Sequence, residues 1–129
     1  MTGIEAYLDE ARTELTRVTP HEVAALDGPL IIDIRPLHNR VADGEIPGSI
    51  PVERIVLEWR LDPDSDHRLP GLTADKTVVV LCNEGYASSL AARDLKRIGL
   101  PHATDLVGGF RAWAAAGLPI RAGGTQAVT

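Results

Sequence analysis

Cys82 is the single cysteine of the chain, and it stands where an apolar run gives way to Asn83-Glu84-Gly85-Tyr86-Ala87-Ser88-Ser89. In open α/β sheets ligands bind beyond the carboxyl ends of strands, so a thiol at that junction is placed for chemistry. A tight loop between a strand end and a helix N-terminus turns successive backbone N–H groups toward one point, which makes a nest for an anion. Those donors and the helix N-terminus favour thiolate over thiol, and they would hold a persulfide anion equally well. The competing reading is a small buried hydrophobe, the commonest fate of a lone cysteine. Composition leans toward that fate, whereas the junction, Gly85, and Ser88 and Ser89 as helix caps lean toward chemistry.

The elements that must position Cys82 read as short strands alternating with helices, the pattern of an α/β fold. Leu30-Ile31-Ile32-Asp33-Ile34 and Thr77-Val78-Val79-Val80-Leu81 are continuous apolar runs, as expected of central strands buried on both faces of a parallel sheet. Pro47-Gly48 leads into a brief Ser49-Ile50-Pro51 strand, and Ala103 to Val107 supplies another before Gly108-Gly109. Val18 is placed to begin a fifth. Ile4, Leu8, Ala11 and Leu15 recur at helical spacing, which predicts an N-terminal amphipathic helix over residues 3 to 15. Thr19-Pro20-His21-Glu22 is a capping box that opens a short helix to Leu26. Further helices are expected over Val52 to Leu61, with Trp59 packed inward, over Ser88 to Ile98, and over Phe110 to Ala116. Asp62 to Arg68 reads as a loop. The expected organisation is thus an N-terminal helical extension over 1–16, one domain over 17–121, and a disordered tail over 122–129.

Composition bounds the rest. The 129 residues, 44% of them apolar, suffice for one compact domain and are too few for two. A net charge of −5 gives no electrostatic reason to expect nucleic acid or an anionic membrane as partner. No apolar run approaches the ~20 residues that cross a bilayer, and Met1-Thr2-Gly3-Ile4-Glu5 lacks the regions of a signal peptide, so a cytoplasmic location is expected. One cysteine allows neither an internal disulfide nor a CxxC pair. His21, His38, His67 and His102 show no metal-ligand spacing, so neither a metal nor another cofactor is expected.

Four signatures in order make the chain resemble the rhodanese family from Val18 to Ile120. Asp33-Ile34-Arg35 resembles the family's Asp-x-Arg, and Gly44-Glu45-Ile46-Pro47-Gly48-Ser49 its Gly-His-Ile-Pro-Gly-Ala turn. Cys82 to Ala87 is similar to the active loop. Leu106-Val107-Gly108-Gly109-Phe110-Arg111-Ala112-Trp113, with Gly117-Leu118-Pro119, is similar to the closing Leu-x-Gly-Gly-x-x-x-Trp and Gly-x-Pro. The resemblance implies a three-layer fold around a mostly parallel five-stranded sheet. It also implies a sulfurtransferase in which Cys82 is the nucleophile and the N–H groups from Asn83 to Ser88 stabilise its anion. Asp33 and Arg35 then pair to support the loop. The partners implied are a small-molecule or protein persulfide as donor and a thiol as acceptor.

Departures from the pattern bear on substrate. Ala87 stands where many rhodaneses have Arg, so a guanidinium fork for an anionic donor is absent there. Glu84 adds a negative charge that opposes a dianion, which makes thiosulfate a poor donor. Glu45 replaces the usual His. Arg54, Arg60 and Arg68 read either as cations at the pocket rim or as solvated side chains, and Tyr86 either as an apolar wall or as an exposed loop aromatic. The longer, Arg-closed loop of phosphatase and arsenate reductase relatives is missing. A non-catalytic binding module, or an oxidation sensor at Cys82, remains the rival reading.

Overall fold

The structure, a computed structural model, describes residues 2–129. Four parallel strands, β1 (Leu30–Asp33), β2 (Ile50–Pro51), β3 (Val78–Leu81) and β4 (Ala103–Asp105), lie in the order β2-β1-β3-β4. The sheet therefore has four strands rather than five. Val18 contributes one parallel bridge to Leu106 beside β4. It is followed at once by Thr19, the N-cap of the next helix, so there is no room to extend a strand.

Strand burial follows the pleat. Val78 and Val80 face one core with Leu57, Leu61 and Leu95, while Val79 and Leu81 face the other with Ile46, Phe110 and Trp113. Both faces are dry because helices cover each: α4 (Leu57–Arg60) and α5 (Ala87–Ile98) on the first, α2 (Pro20–Ala25) and α6 (Gly109–Ala115) on the second. The capping box of α2 forms as expected, with Thr19 Oγ1 accepting from the Glu22 N–H and Glu22 Oε1 accepting from the Thr19 N–H. The N-terminal helix α1 (Ile4–Arg12) lies against α5, where Arg93 stacks on the Tyr7 ring and donates to its hydroxyl at 3.0 Å. Among the described residues no helix is long and apolar enough to cross a membrane.

Three local expectations are corrected. The segment expected to be one helix from Val52 to Leu61 is a 3-10 helix, Arg54–Val56, followed by α4. Leu57 and Leu61 take its inward positions, and Trp59, two residues from each and so on the opposite side, is 59% exposed. Helix α3 (Leu37–Asp43) was not expected, because its apolar Leu37 and Val41 face outward while Arg40 is buried. The tail expected to be disordered is packed instead. The Thr125 hydroxyl donates to the Glu45 carboxylate at 2.7 Å, and Val128 bridges to Val52 and packs on the core.

Candidate active site

β3 ends at Leu81, and its register beside β1 brings Asp33 next to that end. Cys82 is the next residue, half-buried at the floor of a cleft of about 330 Å³. Ile34, Pro36, Tyr86 and Ala87 form much of its wall, so the space above the sulfur is largely apolar. The sulfur is not sealed in the core.

The loop folds around that sulfur. Gly85, with φ of 88°, turns the chain so that its N–H donates to Cys82 Sγ at 3.2 Å, and the Ser88 N–H donates at 3.4 Å. Two of the expected loop donors thus meet Sγ directly, and each stabilises negative charge there. Ser88 and Ser89, expected as helix caps, do something else. Tyr86 occupies the cap position of α5 without a side-chain bond, and both serine hydroxyls donate to Asp105 Oδ2, at 2.7 and 2.9 Å. Ser88 Oγ also lies 3.3 Å from Cys82 Sγ, placed to accept from the thiol.

Behind the loop the supports come from distant sequence. Arg17 clasps the fully buried Asp105 carboxylate at 2.9 and 3.1 Å. The Gly85 carbonyl accepts from both Arg12 and Arg17. Sequence reasoning missed Arg12, Arg17 and Asp105, because none belongs to a local motif and each meets the loop only through the fold. The carbonyls of Cys82 and Asn83 accept from the N–H groups of Phe110 and Arg111, at 2.9 and 3.1 Å. This explains the Gly108-Gly109 pair, since it lets the start of α6 press against the loop backbone.

Asp33 and Arg35 lie at the adjacent strand end. Arg35 forks onto the Asp33 carboxylate, with Nη2 to Oδ2 at 2.7 Å, and its Nη2 also donates to the Gly44 carbonyl at 2.8 Å. Its guanidinium stacks over the Phe110 ring, 3.9 Å from the centroid. That links it to the residue whose N–H holds the Cys82 carbonyl. Both charges are buried, and Arg35 also forms part of the cleft lining.

The proposed rim cations separate. Arg54 lines the cleft while pairing with Glu58 at 2.8 Å. Arg60 and Arg68 lie outside it: Arg60 donates to the carbonyls of His67 and Thr129, and Arg68 to that of Ser65. Both arginines are spent on loop and tail carbonyls because the loop after α4 folds back on itself. Glu84 and Tyr86 line the cleft. The Glu84 carboxylate is 3.8 Å from Arg111 in an exposed pair, a geometry that contributes little.

Comparison with known proteins agrees with this architecture. The Rhodanese-like domain family matches residues 19–116. The adenylyltransferase and sulfurtransferase MOCS3-2 of Zea mays is 33% identical over 105 residues, covering 78% of this chain and 21% of that protein. The chain thus spans about a fifth of the length of the curated relatives it matches. A Rhodopseudomonas palustris protein of unknown function, described as a possible tyrosine phosphatase, superposes with a TM-score of 0.84 at 37% identity, covering 94% of this chain and 96% of that one. The polysulfide-sulfur transferase of Wolinella succinogenes shares the fold, with a TM-score of 0.68 at 24% identity, covering 91% and 85%. From its parallel sheet to the glycine pair beneath its cysteine loop, and by the match over 19–116, this chain belongs to the rhodanese-like domain family.

Proposed function

We propose that the chain is a sulfurtransferase that carries sulfane sulfur as a persulfide on Cys82 and passes it to a thiol. The supporting observation is the open sulfur at the cleft floor, bonded by the N–H groups of Gly85 and Ser88. The Cys82 thiolate attacks the outer sulfur of a donor persulfide, and the donor's S–S bond breaks with its electron pair leaving on the donor thiolate. An acceptor thiolate then attacks the outer sulfur of the Cys82 persulfide and expels Cys82 as thiolate. No net oxidant or reductant is consumed, and no cofactor enters. The donor persulfide and the acceptor thiol both belong to the thiol chemistry of the cytoplasm, where we place the protein.

The cleft favours an organic persulfide over thiosulfate. Its walls suit a carbon chain, Ala87 offers no charge, and the two arginines of its lining are each paired with a carboxylate, Arg35 with Asp33 and Arg54 with Glu58. Mass spectrometry after incubation with glutathione persulfide is expected to show one added sulfur on Cys82, removed by a thiol and absent from Cys82→Ser. Thiosulfate should load poorly, and Ala87→Arg, which adds a guanidinium at the cleft wall, should raise thiosulfate loading about tenfold. Failure of the wild-type protein to load from any donor would instead favour a binding or redox-sensing module.

The resemblance to a protein described as a possible phosphatase raises a second chemistry. Phosphoryl transfer needs cations around the equatorial oxygens. Here the loop closes on Ala87 and Ser88, and Ser88 leads to the Asp105 carboxylate. An aryl phosphate is expected to give no turnover above background.

A further inference from the structure

The loop around Cys82 is gripped on its outer side by two arginines that precede the matched family segment, which begins at residue 19. The Gly85 carbonyl accepts from Arg12 Nη2 at 2.8 Å and from Arg17 Nη2 at 3.0 Å. Each guanidinium is anchored a second time. Arg12, the last residue of α1, donates through Nε to Ser89 Oγ at 3.0 Å, and Arg17 clasps Asp105. Neither arginine lines the cleft.

A trans peptide carries its C=O and the following N–H on opposite sides. Drawing the Gly85 oxygen outward therefore turns the Tyr86 N–H toward the side of the loop that faces the cleft. Among the described residues the N–H groups of Tyr86 and Ala87 donate to no acceptor in the protein. A carbonyl that receives two charged donors also polarises its amide, which makes the N–H of the same peptide a stronger donor. Behind the loop two guanidiniums face one carboxylate, Asp105, so the excess charge there is positive.

We propose that Arg12 and Arg17 are positioning residues that supply from behind the loop the cationic support that position 87 lacks, fixing the Gly85–Tyr86 peptide so that its N–H meets an anionic sulfur above Cys82. The N-terminal helix is then part of the working site. Its benefit to persulfide loading rests on the sulfur-carrier reading, whereas its effect on the bare Cys82 thiolate does not.

Arg12 is the residue to change, because Arg17 also neutralises the buried Asp105. Arg12→Ala and Arg12→Lys are to be compared with the wild-type protein by thermal unfolding, by iodoacetamide alkylation of Cys82 across pH, and by loading from glutathione persulfide. Loss of one charge-assisted hydrogen bond is expected to slow loading by about tenfold. The acidic limb of the alkylation profile should move to higher pH in Arg12→Ala while its plateau at high pH is kept. Arg12→Lys, which restores a cationic donor, should recover most of both. A folded Arg12→Ala variant with the wild-type profile would overturn the proposal, and so would a lysine variant as impaired as the alanine one. If Arg12→Ala does not fold, Arg12→Gln keeps a neutral donor and must show the same displaced limb, or the proposal falls. Should the wild-type protein accept sulfur from no donor, the sulfur-carrier reading fails, and the alkylation profile still decides the role of Arg12.

Discussion

Gly109→Ala is expected to destabilise the domain by about 3 kcal/mol and to abolish sulfur loading of Cys82 in whatever fraction stays folded. Gly109 has φ of 64°, and a Cβ there would lie 2.5 Å from the Cys82 carbonyl oxygen, 2.6 Å from the Asn83 carbonyl carbon and 2.7 Å from its oxygen. All three atoms are main chain, so no side-chain rotation relieves the contact. The left-handed backbone costs an alanine about 1–2 kcal/mol, and forcing atoms into packed space adds about 1–3 kcal/mol. Relief requires the loop to rise off α6, which breaks the bonds from Phe110 and Arg111 to the Cys82 and Asn83 carbonyls. Urea unfolding and the mass of Cys82 after exposure to glutathione persulfide measure the two effects. A variant within about 1 kcal/mol of wild type that loads normally would show that the close approach is not needed.

The sequence was most legible where one local rule acted alone. The runs Leu30–Ile34 and Thr77–Leu81 became β1 and β3 because central parallel strands are apolar on both faces. Thr19 and Glu22 capped α2 because a capping box needs only four neighbouring residues. Legibility failed where distant residues set the outcome. Helix α3 hides a charge and exposes its apolar residues, which inverts the periodicity that identifies helices. The tail has little apolar content, and it is held by Glu45 and by the Pro51–Glu53 backbone far upstream. At the site, Cys82 and its loop could be found from the strand-to-loop junction. Arg12 and Asp105 could not, since Arg12 lies 73 positions from Gly85 and Asp105 lies 17 from Ser88.

The departure at position 45 carries the second large effect. Glu45 is fully buried and accepts from Arg40 Nη1 at 2.8 Å, from Arg121 Nη2 at 3.0 Å and from Thr125 Oγ1 at 2.7 Å. Burial alone would raise its pKa, but the hydrogen bonds from Thr125, Arg40 and Arg121 outweigh burial and hold the carboxyl at about 2. A histidine here would bring no anion to Arg40, whose side chain is itself buried. Glutamate at 45 and the ordered tail are therefore one feature: the carboxylate neutralises α3 from within and clasps Arg121 and Thr125 from the C-terminal segment. Glu45→Gln leaves Arg40 buried without its counter-charge, and the expected loss is about 3–5 kcal/mol. The pH dependence gives an independent measure. Because the folded carboxyl binds its proton less readily than the unfolded one, the contribution of about 3 kcal/mol is fully present above the unfolded value near 4.5 and is lost as pH falls through about 2. Urea midpoints of the wild-type protein and Glu45→Gln should differ most near neutral pH and converge as the solution is acidified toward pH 2. A gap that stays constant over that range would assign the loss to packing rather than to the buried charge.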